Sequence, residues 1–395
     1  MGSRTLSQGF FMAIFTLLKP LYNHSYHQPM RPVSLFLVGF FMLIMTQLDA
    51  QTQETLRRTE NLVMVAMDGM RWQEIFGGID SALLEDRTYT KDRKELRRAF
   101  WSANPAERRR KLLPFFWDTI ARQGQLYGNR LLDNKVDVAN PYKFTYPGFS
   151  ETVTGNPDTA VKSNGLNRNK NINVLEFLNA QKGFTGQVAT FATSELFPYI
   201  LNKWRNGLYV NADKDSLAFN TPQMQLLNDM ERLAAKPTGE RPDLLTYFAA
   251  REYLKQSHPR VLYIPMGETD AFAHDGLYDQ YLGAVHAEDA MIADLWAILQ
   301  SLPQYRNKTT LIITCDHGRG GQIQSQWTDH GVKIEGSGQI WIAVIGPDSS
   351  PLGEVAGPMQ LYQGQLAATM ALLLGYYFTP PPPQTVLPAI KSILQ

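Results

Sequence analysis

The chain has 395 residues, 44% of them apolar and 19% charged, which is ordinary for a globular protein with one large domain or two small ones. Its formal net charge is +1. That balance gives no electrostatic case for nucleic acid or an acidic membrane surface as partner.

From Met30 the sequence reads Met-Arg-Pro-Val-Ser, then an apolar run over 35–45, then Leu48-Asp49-Ala50 before a polar stretch. A basic start, a short apolar stretch and a small residue before polar sequence are the parts of a secretory signal peptide. The apolar run is too short for a comfortable membrane span. The reading predicts a leader over 1–50 with the true start at Met30, cleavage near Ala50, and a polar linker over 51–60. It makes the mature protein periplasmic or secreted; an uncleaved anchor is the alternative. Cys315 is the single cysteine, so no intrachain disulfide can form. A large core needs none, which suits a periplasm.

Beyond the linker, one continuous domain is expected over 61–395. Strand-length apolar runs occur at 61–67, 186–191, 261–266, 310–315 and 340–345. Their continuous rather than alternating pattern suits central strands covered on both faces. Helical patterns lie between them: Tyr281, Val285, Ile292, Leu295 and Leu299 share one face, and 361–374 reads as a helix stopped by Gly375. Two charged, helix-patterned segments, near 81–122 and 221–256, read as inserts, one of which could cap an active site. The fold class is therefore α/β, a layered α/β/α sandwich around a mostly parallel sheet. In such sheets ligands collect at the carboxyl ends of the strands.

Those ends carry the polar groups. Asp68-Gly69 follows the first strand, Asp270 and His274 follow the third, Asp316-His317-Gly318 follows the fourth, and His330-Gly331 comes shortly after. Each alone reads as a turn or a surface pair. Of the seven histidines, two fall in the leader, and three of the other five stand at these sites beside three aspartates. Asp68, Asp270, Asp316, His274, His317 and His330 make six N/O donors, enough for two divalent metals at three each. Imidazole with carboxylate and no thiolate favours zinc, with manganese or iron behind it. His258 and His286 do not fit the pattern and read as structural.

In this order the motifs resemble the metal-site pattern of the alkaline phosphatase superfamily, most of all its nucleotide pyrophosphatase/phosphodiesterase branch. The resemblance implies that Thr145, in the turn Thr145-Tyr146-Pro147-Gly148-Phe149 before Thr154-Gly155, is the nucleophile. It places Asp68, Thr145, Asp316 and His317 around one metal, and Asp270, His274 and His330 around the other. It also implies an asparagine that holds a phosphoryl oxygen. Asn169 matches with a small insertion, Asn167 and Asn171 compete, and Arg168 and Lys170 are candidate phosphate contacts. Gly148 stands where the family usually has Asn. The sulfatase branch needs Cys or Ser at the position of Thr145 and Arg at that of Phe149, and this chain has neither.

The resemblance thus implies a two-metal phosphoesterase acting on a small phosphate ester through a phospho-threonine intermediate. The lean is to phosphodiesters and nucleotides, with Phe144, Tyr146 and Phe149 available to stack a base. A phosphomonoesterase is the alternative, and a non-catalytic metal- or ligand-binding protein the second. No membrane span is expected in the mature chain, and oligomeric state is not legible.

Overall fold

The computed structural model describes residues 57–218 and 221–394. The expected leader over 1–50 and the first part of the linker, 51–56, lie outside the described residues.

Eight strands form the main sheet: β1 (Asn61–Met67), β2 (Gln125–Tyr127), β4 (Val188–Ala192), β5 (Tyr209–Ala212), β6 (Val261–Met266), β7 (Thr309–Thr314), β9 (Ile342–Ile345) and β10 (Gly353–Glu354). Their spatial order is β10-β2-β9-β7-β1-β6-β4-β5. Every neighbouring pair is parallel except the two made by β9, with β7 and with β2. A smaller sheet joins β11 (Met359–Tyr362), β3 (Asn134–Asp137) and β8 (Gln339–Ile340).

The central strands β1, β6, β7 and β9 are buried at every residue. Both faces of the sheet are therefore covered, which is what continuous Val/Ile/Leu runs require. The fold is the layered α/β class with a mostly parallel sheet. Register matters most for the site. Met67 stands opposite Met266, and Ala66 opposite Thr314. The chain thus leaves β1, β6 and β7 at one sheet edge, where Asp68 and Gly267 come next and Asp316 follows after Cys315.

Four helices frame that edge: α1 (Thr145–Thr154), α2 (Asp243–Ser257), α3 (Glu268–His274) and α4 (Tyr278–Ser301). The segment 221–256 holds a helix, Pro222–Leu233, and α2, which packs on β4 and β6 as part of the regular helical layer. The strand expected over 340–345 breaks at Trp341, whose indole N–H donates to the Met70 carbonyl; β8 goes to the small sheet and β9 to the large one. The helix expected over 361–374 is shorter, Gln365–Leu373, because its first residues pair as β11. Among the described residues no helix is long and apolar enough to cross a membrane.

Candidate two-metal site

The strand-end residues converge into two groups. Asp68, Asp316 and His317 present donor atoms within 4.8 Å of one another, all three side chains buried. Asp270, His274 and His330 do the same, in a half-buried to exposed setting. The groups abut: His317 Nε2 lies 3.5 Å from Asp68 Oδ1, 3.3 Å from Asp316 Oδ2 and 3.8 Å from Asp270 Oδ1. The rings of His317 and His330 stack at 3.7 Å.

Hydrogen bonds around the groups orient these donors. His317 Nδ1 lies 3.1 Å from the Gly318 carbonyl and His330 Nδ1 2.9 Å from that of Lys143. A carbonyl can only accept, so Nδ1 carries the proton in each ring and the Nε2 lone pair faces the site. Burial, and in His317 the neighbouring His330, lowers both imidazole pKa values, which favours the neutral, ligating form. The Gly69 amide donates to Asp316 Oδ1 at 3.1 Å. That leaves Asp68 Oδ1, Asp316 Oδ2 and His317 Nε2 buried without a hydrogen-bond partner. Three orphaned donor atoms around one point are what a bound cation would satisfy, and the carboxylate–imidazole set suits a divalent ion of the zinc type.

The carboxylates differ electrostatically. Burial and the negative charges of Asp316 and Asp270 push Asp68 well above its usual range. Burial and then Asp270 push Asp316 up to about 7. Burial acts the same way on Asp270, but the Arg319 guanidinium, together with His274, His317 and His330, outweighs it and holds that carboxyl well below the usual range. Arg319 is itself buried; it contacts the Asp270 carboxylate and donates to the carbonyls of Asp270 (2.9 Å) and Thr328 (2.7 Å).

Thr145 is the first residue of α1 and lines, with Asp68, Asp270, His274 and His330, a cleft of about 590 Å³. The other hydroxyls of α1 are engaged elsewhere. Thr152 and Thr154 donate to carbonyls one turn back, and Ser150 accepts from Asn169. Gly148 is where α1 meets the β7 end: a Cβ there would lie 2.4 Å from the Asp316 carbonyl oxygen. The family's larger residue cannot fit at this approach without moving the helix.

This architecture has known counterparts among solved structures. The fold is that of the alkaline phosphatase superfamily. The alkaline phosphatase PafA aligns at a TM-score of 0.57 and 10% identity, over 85% of this chain and 99% of that one. The 2-O GAG sulfatase BT1596 aligns at 0.53 and 13%, over 85% and 74% of the two chains. The phosphonate monoester hydrolase of Silicibacter pomeroyi aligns at 0.52 and 12%, over 85% and 76%. No protein-family model matches the chain, and no curated protein sequence matches it. At these identities the alkaline phosphatase likeness carries the fold, and the chemistry has to be read from the residues.

Several expected contacts fall outside the cleft. Asn169 is buried with its side-chain amide donating to Ser150 Oγ at 2.8 Å and its side-chain Oδ1 accepting from the Asn171 backbone N–H, so it props α1 and lines the smaller pocket rather than the cleft. Asn171 is bonded to Asp158. Arg168, stacked 4.6 Å over Trp204, and Lys170 line a separate pocket of about 210 Å³ with Asn167 and Asn169. The asparagine that does line the cleft is Asn164, whose side-chain oxygen accepts from the Tyr146 amide at 2.9 Å. Of the aromatics proposed for stacking, Tyr146 and Phe149 are in the core, and Phe144 packs edge-on against His330. Sequence reasoning also missed Arg319, although it directly follows Asp316-His317-Gly318.

Proposed function

We propose that the protein is a two-metal phosphoesterase that cleaves phosphodiesters through a phospho-threonine intermediate. The carrying observation is the cleft itself: Thr145 lines it together with Asp68 of the inner three-donor group and Asp270, His274 and His330 of the outer one. Asp68, Asp316 and His317, with Thr145 beside them, would hold one divalent ion, and Asp270, His274 and His330 the other; zinc suits the donors best. When bound, such ions supply Lewis-acid polarisation of phosphoryl oxygens and an acidified hydroxyl at neutral pH.

The chain's own residues do the rest. Thr145, buried at the start of α1, is held for in-line approach by the Asn164 bond to the next amide and by the Gly148 contact. Its Oγ1 forms the bond to phosphorus as the ester oxygen leaves, and water then cleaves the phospho-threonine. The neutral imidazoles keep their lone pairs inward, and Arg319 keeps Asp270 ionised.

A diester fits better than a monoester on charge. A monoester carries an extra negative charge that a Lys or Arg commonly meets. None lines this cleft among the described residues, and the candidates Arg168 and Lys170 sit in the other pocket. A threonine in place of Cys or Ser argues against sulfate esters. The secreted location remains part of the proposal and rests on the signal-peptide pattern over 30–50.

The test is hydrolysis of p-nitrophenyl phosphate, bis-p-nitrophenyl phosphate and p-nitrophenyl sulfate by zinc-loaded protein, with Thr145→Ala alongside. Diester turnover that disappears in the variant is expected. Diester turnover that persists in Thr145→Ala would overturn the nucleophile. Metal binding without any turnover would favour a binding protein of this fold.

A further inference from the structure

One ligand of the outer metal group leans on a backbone carbonyl, and that carbonyl belongs to a strained residue. His330 Nδ1 lies 2.9 Å from the Lys143 carbonyl, the contact that keeps the ring proton away from the site. Lys143 has φ 56°, in the left-handed region that a residue with a β-carbon seldom takes. It stands two residues before Thr145, in the loop that joins β3 to α1. Strain of this kind persists only where the surroundings impose it.

The group that imposes it is Asn140, which is buried. Its Oδ1 accepts from the backbone N–H groups of Tyr142 (3.1 Å) and Lys143 (2.9 Å), closing the turn that carries Lys143 into the left-handed conformation. Its side-chain amide donates to Glu151 Oε2 at 2.9 Å. Glu151, fully buried on α1, also accepts from the backbone N–H groups of Asn140 (2.7 Å) and Ala139 (3.0 Å). One end of the Asn140 side chain is thus pinned to the helix that begins with Thr145, and the other end shapes the turn. The next residue, Phe144, packs edge-on against the His330 ring, in space that Gly331 leaves open: a Cβ there would lie 2.7 Å from Phe144 Cε1. The loop therefore holds His330 at its Nδ1 and at its ring.

We propose that Asn140 is a positioning residue for the outer metal group: by holding Lys143 left-handed it aims that carbonyl at His330 Nδ1, fixes the ring's tautomer and presents Nε2 to a divalent ion. The inference rests on the reading of Asp270, His274 and His330 as a metal group. It also makes one short loop responsible for placing both Thr145 and an outer ligand.

The experiment reads the His330 imidazole by long-range proton–nitrogen NMR of the metal-free protein at about pH 8, where the ring is neutral, with the signal assigned through His330→Gln. Zinc affinity is measured beside it by calorimetric titration. Wild-type protein should show a single tautomer, protonated on Nδ1, and bind two zinc ions. Asn140→Ala should show the Nε2-protonated form at His330 and weaken the outer zinc by about 10–100-fold, the scale of losing the partner behind a ligating imidazole. Lys143→Pro, whose φ is locked at about −65°, should do the same from a half-buried position, and it decides the matter if Asn140→Ala does not fold. Lys143→Gly, which takes a positive φ freely, should keep the wild-type pattern. His317 is the internal control, because its Nδ1 rests on the Gly318 carbonyl instead, and a merely structural role for Asn140 would loosen both rings together. An unchanged His330 tautomer and outer zinc affinity in Asn140→Ala or Lys143→Pro would overturn the proposal, as would a parallel change at His317. Wild-type protein that binds one zinc and leaves the His330 signal unmoved sinks the outer metal group and this inference with it.

Discussion

The two candidate metal groups are built from the same side-chain types and differ in how much protein stands behind them. Asp68, Asp316 and His317 are buried, and three of their donor atoms have no other partner. Two of these residues come directly off neighbouring strands, β1 and β7. Asp270, His274 and His330 come from a seven-residue helix and a loop, and the His274 side chain is 42% exposed. The first group is preorganised by the sheet, whereas the second opens on the cleft where a substrate enters. One sheet edge thus supplies a fixed anchor and an accessible partner site, a division of labour suited to displacement between two ions.

Removing one imidazole from each group tests this difference most strongly. His317→Ala should lose one bound metal per chain and lower kcat/KM on a diester by about three orders of magnitude, the scale of losing a metal's charge stabilisation. It also leaves the Asp68 and Asp316 carboxylates facing each other without a compensating donor. His274→Ala should lower kcat/KM by about 10–100-fold, and excess zinc should recover part of it, because a solvent molecule can take the exposed position. Metal content by atomic emission beside diester kinetics decides the matter. Equal losses, or rescue of His317→Ala by zinc, would erase the distinction.

Proton competition separates the groups less strongly. Burial raises both carboxyls of the inner group, Asp316 to about 7, so the metal-free folded state holds protons there that a free carboxyl has already lost. A metal must displace a proton, so zinc affinity at the inner group should fall by about tenfold for each pH unit below about 7. Asp270, ionised by Arg319, imposes no such carboxyl competition on the outer group. The same linkage gives the metal-free protein a sign that can be checked. Between about pH 4 and 7 these two carboxyls bind more protons in the folded state than in the unfolded chain, so their contribution to stability should decline as pH rises through that window. Calorimetric zinc titrations at about pH 6 and 8, with melting curves of the metal-free protein, measure both effects.

The inner group was the more legible in the sequence, and the reason is geometric. Parallel strands with apolar runs leave the sheet in register, so Asp68 and Asp316 had to meet once β1 and β7 paired. The outer group needed the fold as well: nothing in the spacing of His330 says that its loop returns to stack on His317. Legibility was poorest where loops decide. Asn169 matched a motif distance, yet the loop over 158–170 turns it onto Ser150 and turns Asn164 to the cleft. Gly148 looked like a departure from the family and is a packing requirement, set by the Asp316 carbonyl.

The contrast between the groups also assumes that they supply the positive charge a phosphoryl group meets, with no help from the neighbouring basic segment. Arg168 and Lys170 lie close in sequence to α1 but line the smaller pocket, with Arg168 over Trp204. Arg168→Ala and Lys170→Ala should therefore leave kcat/KM on a diester within about twofold, the scale of a solvated surface charge. Neither should change metal content. A larger loss confined to KM would mean that the 158–170 segment closes on the substrate during turnover. The cationic contribution would then be shared between the metal groups and the protein, and the charge argument for a diester over a monoester would lose its basis.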